Sequence, residues 1–269
     1  MKDIAGDAPK LLKEGILLIE KGKSEKAIPK LEQALTLFLA SGNQERIALC
    51  RSYLGVAYRS EKRYEEAVNQ FQEVLKLLTE LKDGFGVAQA HLDIGLTLSL
   101  QKMFEPALEH LNKSLKIIQE ELKDKDLEVT SLTNIGNVFF LKGDYEAAVA
   151  HYSAGLEIAE KNDFIEGIAE CCKGLAEVNE NQGHMDRAEK FYHKSLGFYR
   201  ILPDPIQQSN ILLRLGVIYS NLTQYKDAIF YLKQALTLKR RVGDKVGAYL
   251  CEKNLKRLLE QLKLKTSKK

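Results

Sequence analysis

Five histidines and four cysteines are the side chains of this sequence best suited to metal binding, acid–base catalysis or nucleophilic attack. They are His91, His110, His151, His184, His193, Cys50, Cys171, Cys172 and Cys251. No histidine forms a cluster with a cysteine or a carboxylate at the short spacing of a metal or catalytic site. Gly84 and Gly86 mark a turn without the continuation of a phosphate-binding loop. The sequence therefore predicts no enzymatic activity, no metal site and no cofactor.

A pair of small residues twelve positions apart recurs six times along the chain. In the segment 135–148, IGNVFFLKGDYEAA, the pair is Gly136 and Ala148. The other pairs are Gly15 and Ala27, Gly55 and Ala67, Gly95 and Ala107, Ala176 and Ala188, and Gly216 and Ala228. Successive first members lie 40, 40, 41, 40 and 40 residues apart. A fixed period in this range is typical of a solenoid.

Each repeat is predicted to form two helices, A and B, whose closest approach is where the two small residues lie. Packed helices approach within about 8–10 Å only where side chains allow it. We predict an all-α protein: a single right-handed α-solenoid over 1–269, with six helix pairs and a C-terminal capping helix. The repeats cover about 8–42, 43–82, 83–123, 124–163, 164–203 and 204–243, before a capping helix over 245–264 and a basic tail over 265–269. The predicted N-caps of A helices are Asn43, Asp83, Asp124, Asp204 and Asp244.

Several residues that look reactive fall at packing positions of these repeats. His91 lies four residues before Gly95, so we predict a satisfied core or interhelical histidine. Cys50, Cys171 and Cys251 share one repeat position, which in the first two lies five residues before the small residue. We predict that they are buried small side chains rather than parts of a disulfide framework.

The pattern resembles the tetratricopeptide repeat (TPR) over almost the whole chain. The motif of that family places small residues, an aromatic and an alanine in the same order within about 34 residues. The segment 133–152, TNIGNVFFLKGDYEAAVAHY, shows the likeness best. The unit of about 40 residues, and the absence of the proline usual at the end of helix B, are similar to the subclass found in Pins/LGN-type adaptors. The resemblance implies a solenoid that binds another protein.

In such a solenoid the A helices line the concave side. Helical spacing then places residues six and three before, and one and four after, the small residue on that surface. The predicted groove residues at these positions include Val56, Arg59, Leu92, Leu96, Asn137, Lys173, Glu177 and Asn210. Asn134, Arg214 and Arg257 are also predicted for the groove because of their polar side chains. The surface is predicted to change from apolar to polar along the chain, which suits a peptide or an amphipathic helix. The alternative is that some of its leucines belong to the core between repeats.

The polar groove residues have two possible uses. In similar TPR proteins, asparagines placed like Asn134 and Asn137 hydrogen-bond a ligand backbone. Their alternative role is hydrogen bonding to neighbouring helix ends. Lys173, Arg214 and Arg257 could bind acidic side chains or a C-terminal carboxylate.

The C-terminal segment is strongly basic. From Lys239 to the end it carries a formal charge of +8, against +3 for the whole chain. Such a segment could bind nucleic acid or an acidic partner. Acidic residues in the predicted groove, among them Asp93 and Glu177, disfavour phosphate there.

We therefore predict a non-enzymatic scaffold or adaptor that binds a peptide or helix of another protein. The alternative is an RNA- or acidic-partner-binding repeat protein that uses its basic end, and self-association through the end helices is a third possibility. No apolar run reaches the roughly 18 residues that span a bilayer. The first residues, MKDIAGDAPK, contain no apolar signal core. A cytoplasmic location is expected.

Overall fold

The computed structural model describes residues 4–202 and 204–266, with side chains from 7 to 202 and from 204 to 263. Within these residues the regular elements are thirteen α-helices and one π-helical turn. The all-α class and the solenoid-type repetition of helices are thus confirmed. The chain divides into two compact units, the first ending at Lys142 and the second beginning at Gly143. Residues 267–269 of the predicted basic tail lie outside the described residues.

The first unit contains seven of the described helices. They are α1 (Ile4–Glu20), α2 (Ser24–Ser41), α3 (Gln44–Ser60), α4 (Tyr64–Glu80), α5 (Gly84–Leu100), α6 (Phe104–Ile117) and α7 (Lys125–Lys142). Its core is a continuous cluster of buried apolar side chains that extends from Ala8 on α1 to Val138 on α7. Helix α1 begins at Ile4, four residues before the predicted start of the first repeat.

The second unit contains the other six described helices. They are α8 (Tyr145–Lys161), α9 (Ile165–Asn181), α10 (Met185–Ile201), α11 (Pro205–Asn221), α12 (Tyr225–Arg241) and α13 (Lys245–Thr266). The buried cluster of this unit extends from Ala169 on α9 to Leu258 on α13. Helix α13 packs on α12 and occupies the predicted place of the capping helix, two residues longer than predicted.

A π-helical turn, Ile118–Leu122, follows α6. It ends at Lys123, which has a left-handed backbone (φ 53°) and whose N–H donates to the carbonyl of Ile118 at 2.6 Å. The only 41-residue interval of the repeat, from Gly95 to Gly136, contains this turn. Because a π turn holds one residue more than an α turn, it takes up the extra residue.

The five predicted N-caps are confirmed. Each side-chain oxygen accepts a hydrogen bond from a backbone N–H in the first turn of its helix, as the orphan donors there require. The bonds of Asn43, Asp83, Asp124, Asp204 and Asp244 measure between 2.8 and 3.1 Å. A sixth cap of this kind, which was not predicted, is Asp144, whose side chain accepts from the N–H of Ala147 at the start of α8.

The small residues of the A helices make room for a large side chain of helix B. A Cβ added to Gly15 would lie 2.6 Å from the side chain of Leu31, and one added to Gly216 would lie 2.6 Å from that of Leu232. In both repeats the large residue stands one helical turn after the alanine, on the same face of helix B. The alanines themselves are fully buried, as Ala27 and Ala228 illustrate.

Each A helix is followed by a residue with a left-handed backbone. These residues are Gly22, Lys62, Lys102, Gly143, Gly183 and Thr223. The next N–H bonds back to the carbonyl five residues earlier, for example Arg63 to Tyr58 at 2.9 Å, which is the pattern of a Schellman motif. Three of the six positions therefore hold a side chain in a conformation that glycine adopts most easily.

Candidate functional site

A cavity of about 510 Å³ opens in the second unit and is called the polar pocket here. Its walls come from four helices, α9, α10, α11 and α13. The lining residues are Lys173, Glu177, Tyr192, Gln207, Asn210, Ile211, Leu213, Arg214, Val217, Leu250 and Asn254. Four of the predicted groove residues, Lys173, Glu177, Asn210 and Arg214, therefore come together in one cavity.

Glu177 lines the polar pocket, and its carboxylate accepts no hydrogen bond from the described residues. Burial raises the pKa of its carboxyl, and the positive charges of Lys173 and Arg214 oppose that rise. Lys173 is itself engaged, because its Nζ lies 2.6 Å from Glu170 Oε2. A ligand that offers Glu177 an N–H donor or a positive charge would relieve its desolvation.

Arg214 lies at the rim of the polar pocket, with 56% of its side chain exposed. Its nearest anion is Glu180, at 3.5 Å, which also accepts a hydrogen bond of 2.7 Å from the hydroxyl of the buried Tyr192. Glu180 is therefore held in place by Tyr192, whereas the guanidinium of Arg214 keeps donors available for a ligand.

Asn210 is positioned by a buried lysine. The Nζ of Lys239, a residue only 4% exposed, donates to Asn210 Oδ1 and lies 2.8 Å from the helix-capping carboxylate of Asp244. The buried lysine of this ion pair fixes the carbonyl end of the Asn210 amide. Arg257, also predicted for the groove, does not line the pocket; its guanidinium reaches Ser220 Oγ at 3.4 Å.

The predicted groove residues of the first unit are mostly engaged within that unit. Arg59 Nη1 lies 2.8 Å from Asp93 Oδ1, which joins α3 to α5, and its guanidinium lies 5.3 Å from the ring centre of Phe71. Val56 and Leu92 pack against the core of the unit, in agreement with the alternative interpretation of these apolar residues.

Three more predicted groove residues of the first unit are half-buried. They are Leu96 on α5 and Asn134 and Asn137 on α7. The two asparagines lie one helical turn apart, as expected from their spacing.

A second cavity, of about 730 Å³, lies in the first unit and is called the apolar cavity here. Its lining includes Leu49, Tyr53, Leu78, Leu81 and Phe85, and three of these, Leu49, Leu81 and Phe85, are more than one-third exposed. None of the predicted groove residues lines it, although Leu49 occupies an equivalent repeat position. The apolar residues that line this cavity are separated in the sequence, so only the three-dimensional structure shows that they lie together.

The polar pocket is also lined by residues that are not among the predicted groove residues. Gln207 lies one turn before the positions considered on α11, and Leu250 and Asn254 belong to the helix predicted as a cap. Extending the same helical spacing by one turn, and into α13, would have found Gln207 and Leu250.

Comparison with known proteins identifies the repeat. Two models of the tetratricopeptide repeat match the chain, one at residues 8–80 and 86–161 and the other at residues 209–241. The chain belongs to the tetratricopeptide-repeat family. The finer resemblance to Pins/LGN-type adaptors stays a prediction.

Parts of two known proteins are similar to this chain. A Tonsoku-like protein of Drosophila melanogaster is 21% identical over 203 residues, which are 75% of this chain and 13% of that protein. The regulatory protein RapD of Bacillus subtilis is 25% identical over 138 residues, which are 51% of this chain and 39% of RapD. The chain thus spans well under half the length of either relative.

A solved structure supports the same fold. It is the crystal structure of a Rap protein complexed with competence and sporulation factor, with a TM-score of 0.68 and 16% identity. The match covers 95% of this chain and 76% of that one. At this identity the likeness concerns the fold alone.

No three potential metal ligands converge in the described parts of this TPR chain. The four cysteines are buried and free of disulfides, and burial raises the pKa of Cys50 and Cys172 to about 12, which suppresses the reactive thiolate. None of the described helices is both long and apolar enough to cross a membrane.

The prediction for His91 is confirmed, with a partner that the sequence did not reveal. Its Nδ1 lies 2.9 Å from Nδ1 of His110, across the interface between α5 and α6.

Proposed function

We propose that this TPR protein is a non-enzymatic scaffold that binds a peptide or amphipathic helix of another protein, with the polar pocket as its principal binding site. The observation that carries the proposal is the convergence of Lys173, Glu177, Asn210 and Arg214 on one cavity that also has apolar walls. Binding pockets characteristically combine apolar walls with a few convergent polar groups. The Rap complex with competence and sporulation factor supports ligand binding by this fold.

The chemistry of the pocket indicates what a ligand must offer. Leu213, Val217 and Leu250 provide apolar wall for one side chain of the ligand. The amides of Gln207 and Asn254 can each donate and accept, as a peptide backbone requires. Glu177 favours an N–H donor, and Arg214 favours a carboxylate or carbonyl nearby. A segment with both charge signs and an apolar anchor fits this arrangement.

A site-specific crosslinking experiment tests the proposal. A photoreactive phenylalanine analogue is placed at Leu213 in the polar pocket, or at Phe230, which is 57% exposed and does not line the pocket. We expect one protein segment to be crosslinked in cells from position 213 and not from position 230. The captured segment is then synthesised and titrated against the purified chain, with unlabelled segment as competitor.

The decisive variant is Glu177→Lys. We expect it to weaken binding of the synthetic segment by at least about tenfold, because the ligand loses its anion and meets a positive charge, while the melting temperature stays close to that of the wild type. Equal crosslinking from both positions, or full affinity of the variant, would remove the polar pocket from the proposal.

A parallel variant tests the groove predicted for the first unit. Leu96→Glu is expected to weaken partner binding at the first unit without unfolding the chain, since Leu96 is only half-buried. Retained affinity would place the contact elsewhere. Titration with single-stranded RNA at several salt concentrations distinguishes the other candidate function, because phosphate binding weakens steeply with salt.

A further inference from the structure

Two imidazoles meet between α5 and α6 in the first unit. His91 projects from α5 and His110 from α6, and both are half-buried. Their Nδ1 atoms are 2.9 Å apart, with ring centres 5.0 Å apart and ring planes at 48°. Two neutral imidazoles at this distance share one hydrogen bond, in which one Nδ1 donates and the other accepts.

The same repeat position carries a polar contact in the preceding repeat. Arg51 on α3 and Gln70 on α4 are also nineteen residues apart, and Arg51 Nη1 donates to Gln70 Oε1 at 2.9 Å. At this repeat position, two polar side chains from helices A and B can therefore contact each other. In the third repeat both of these side chains are metal-ligating types.

Both imidazoles favour the uncharged form at neutral pH. Burial, followed by the neighbouring His110 and Lys113, lowers the pKa of His91 to about 4. Burial and Lys113 also lower the pKa of His110. Metal ions bind the neutral imidazole, so protons compete little with them here. Glu109 lies close enough to favour a positive charge at the pair.

The separation of the two nitrogens fits two adjacent coordination positions of one metal ion. With metal–nitrogen bonds of about 2.0–2.1 Å, atoms 2.9 Å apart subtend an angle of about 90° at the metal. A tetrahedral zinc ion would separate the nitrogens to about 3.4 Å. An angle near 90° is that of adjacent ligands in square-planar or octahedral complexes, which Cu²⁺ and Ni²⁺ favour with nitrogen and oxygen ligands.

We propose that His91 and His110 form a two-imidazole binding site for Cu²⁺ or Ni²⁺ that bridges helices A and B of the third repeat. Because no third protein ligand converges there among the described residues, water or an external ligand completes the coordination. For both Nδ1 atoms to bind, one ring moves its proton from Nδ1 to Nε2. Binding therefore releases no net proton at neutral pH.

Calorimetric titration of the full chain with Ni²⁺ tests the site. We expect one saturable site in the wild type, at least about tenfold weaker binding in His110→Gln, and a melting temperature raised by Ni²⁺ in the wild type but not in His110→Gln. Glutamine at 110 reproduces Gln70 of the preceding repeat, so the interhelical hydrogen bond can persist. The matched control is His184→Gln in the exposed turn before α10, which should bind Ni²⁺ like the wild type.

A measurement on the unaltered chain keeps the test independent of how the variants fold. The electron paramagnetic resonance spectrum of one bound Cu²⁺ should show hyperfine splitting from two imidazole nitrogens. No saturable Ni²⁺ or Cu²⁺ binding, a copper spectrum with fewer than two imidazole nitrogens, or unchanged affinity in a folded His110→Gln variant would each overturn the proposal.

Discussion

Gly55 on α3 lies beneath the ring of Phe71 on α4, with no room for a side chain between them. A Cβ at position 55 would lie 2.6 Å from both Cε1 and Cζ of Phe71, well inside van der Waals contact. Phe71 is itself buried in the core of the first unit. The small residue and the ring sixteen positions later thus determine together how closely helices A and B of this repeat approach.

Gly55→Ala should lower the free energy of unfolding by about 1–3 kcal/mol, because the rigid ring must move away from the added methyl group. The control is Gly197→Ala on α10, where an added Cβ meets no atom within 4 Å. There the higher helix propensity of alanine should raise stability by about 0.5–1 kcal/mol. Urea denaturation of both variants measures the difference. A stabilised Gly55→Ala variant would contradict the observed packing.

Ala107→Leu should destabilise the chain by about 1–3 kcal/mol through overpacking. Ala107 is fully buried on α6, and its carbonyl lies 3.0 Å from where a Cβ on Gly95 would stand. Ala150→Leu on the exposed side of α8 is the control and should change stability by less than about 0.5 kcal/mol. Thermal melting of the pair is the measurement. Identical melting curves for wild type and Ala107→Leu would refute the predicted register.

Thr223→Gly should raise stability by about 0.5–1 kcal/mol. Thr223 has a φ of 60°, a left-handed conformation that is strained for a β-branched side chain and open to glycine. The converse variant, Gly183→Ala, changes the equivalent turn at a φ of 80°, with no atom near the new methyl group. It should cost about 1 kcal/mol through backbone strain alone. Denaturation midpoints moving the opposite way in either variant would disprove this account of the turns.

Stability should fall as the pH drops from about 6.5 to about 4 because of the histidine pair. The pKa of His91 in the folded chain is lowered to about 4, whereas an unfolded histidine titrates near 6.5. Between these pH values the unfolded chain binds more protons than the folded chain. The free energy of unfolding therefore decreases as the pH falls. Solvent screens part of the effect, which leaves a loss on the order of 1–2 kcal/mol.

Comparison with His91→Gln isolates this contribution from the carboxylates that titrate in the same range, among them Glu109, whose pKa is lowered chiefly by its hydrogen bond with Lys113. The variant should show a shallower dependence of unfolding free energy on pH between 4 and 6.5. Parallel pH profiles for the two proteins would exclude the pair as the cause.

The fold was predictable because its signals are local and repeated. The interval between Gly55 and Gly95 sets the period, and capping residues such as Asp83 mark helix starts through bonds to N–H groups only three residues away. The π-helical turn was missed, since a single extra residue between Gly95 and Gly136 does not reveal which backbone conformation absorbs it.

The candidate site was predictable only in part. Helical spacing placed Lys173 and Glu177 on α9 and Asn210 on α11 on one predicted surface, and these residues line the polar pocket together with Arg214. It could not reveal which charges are already neutralised: Arg59 is paired with Asp93 from the next A helix. Such pairings depend on side-chain directions between repeats, and these are fixed by tertiary packing rather than by period.

The π-helical turn at Ile118–Leu122 keeps the following helix in register with the core of the first unit. One residue added to a continuous α-helix would rotate everything after it by about 100°. The wider turn confines the insertion, and the following helix still directs Ile135 and Val138 into the core. A repeat protein of this kind can therefore gain one residue in one repeat while the adjacent repeats keep the same core positions.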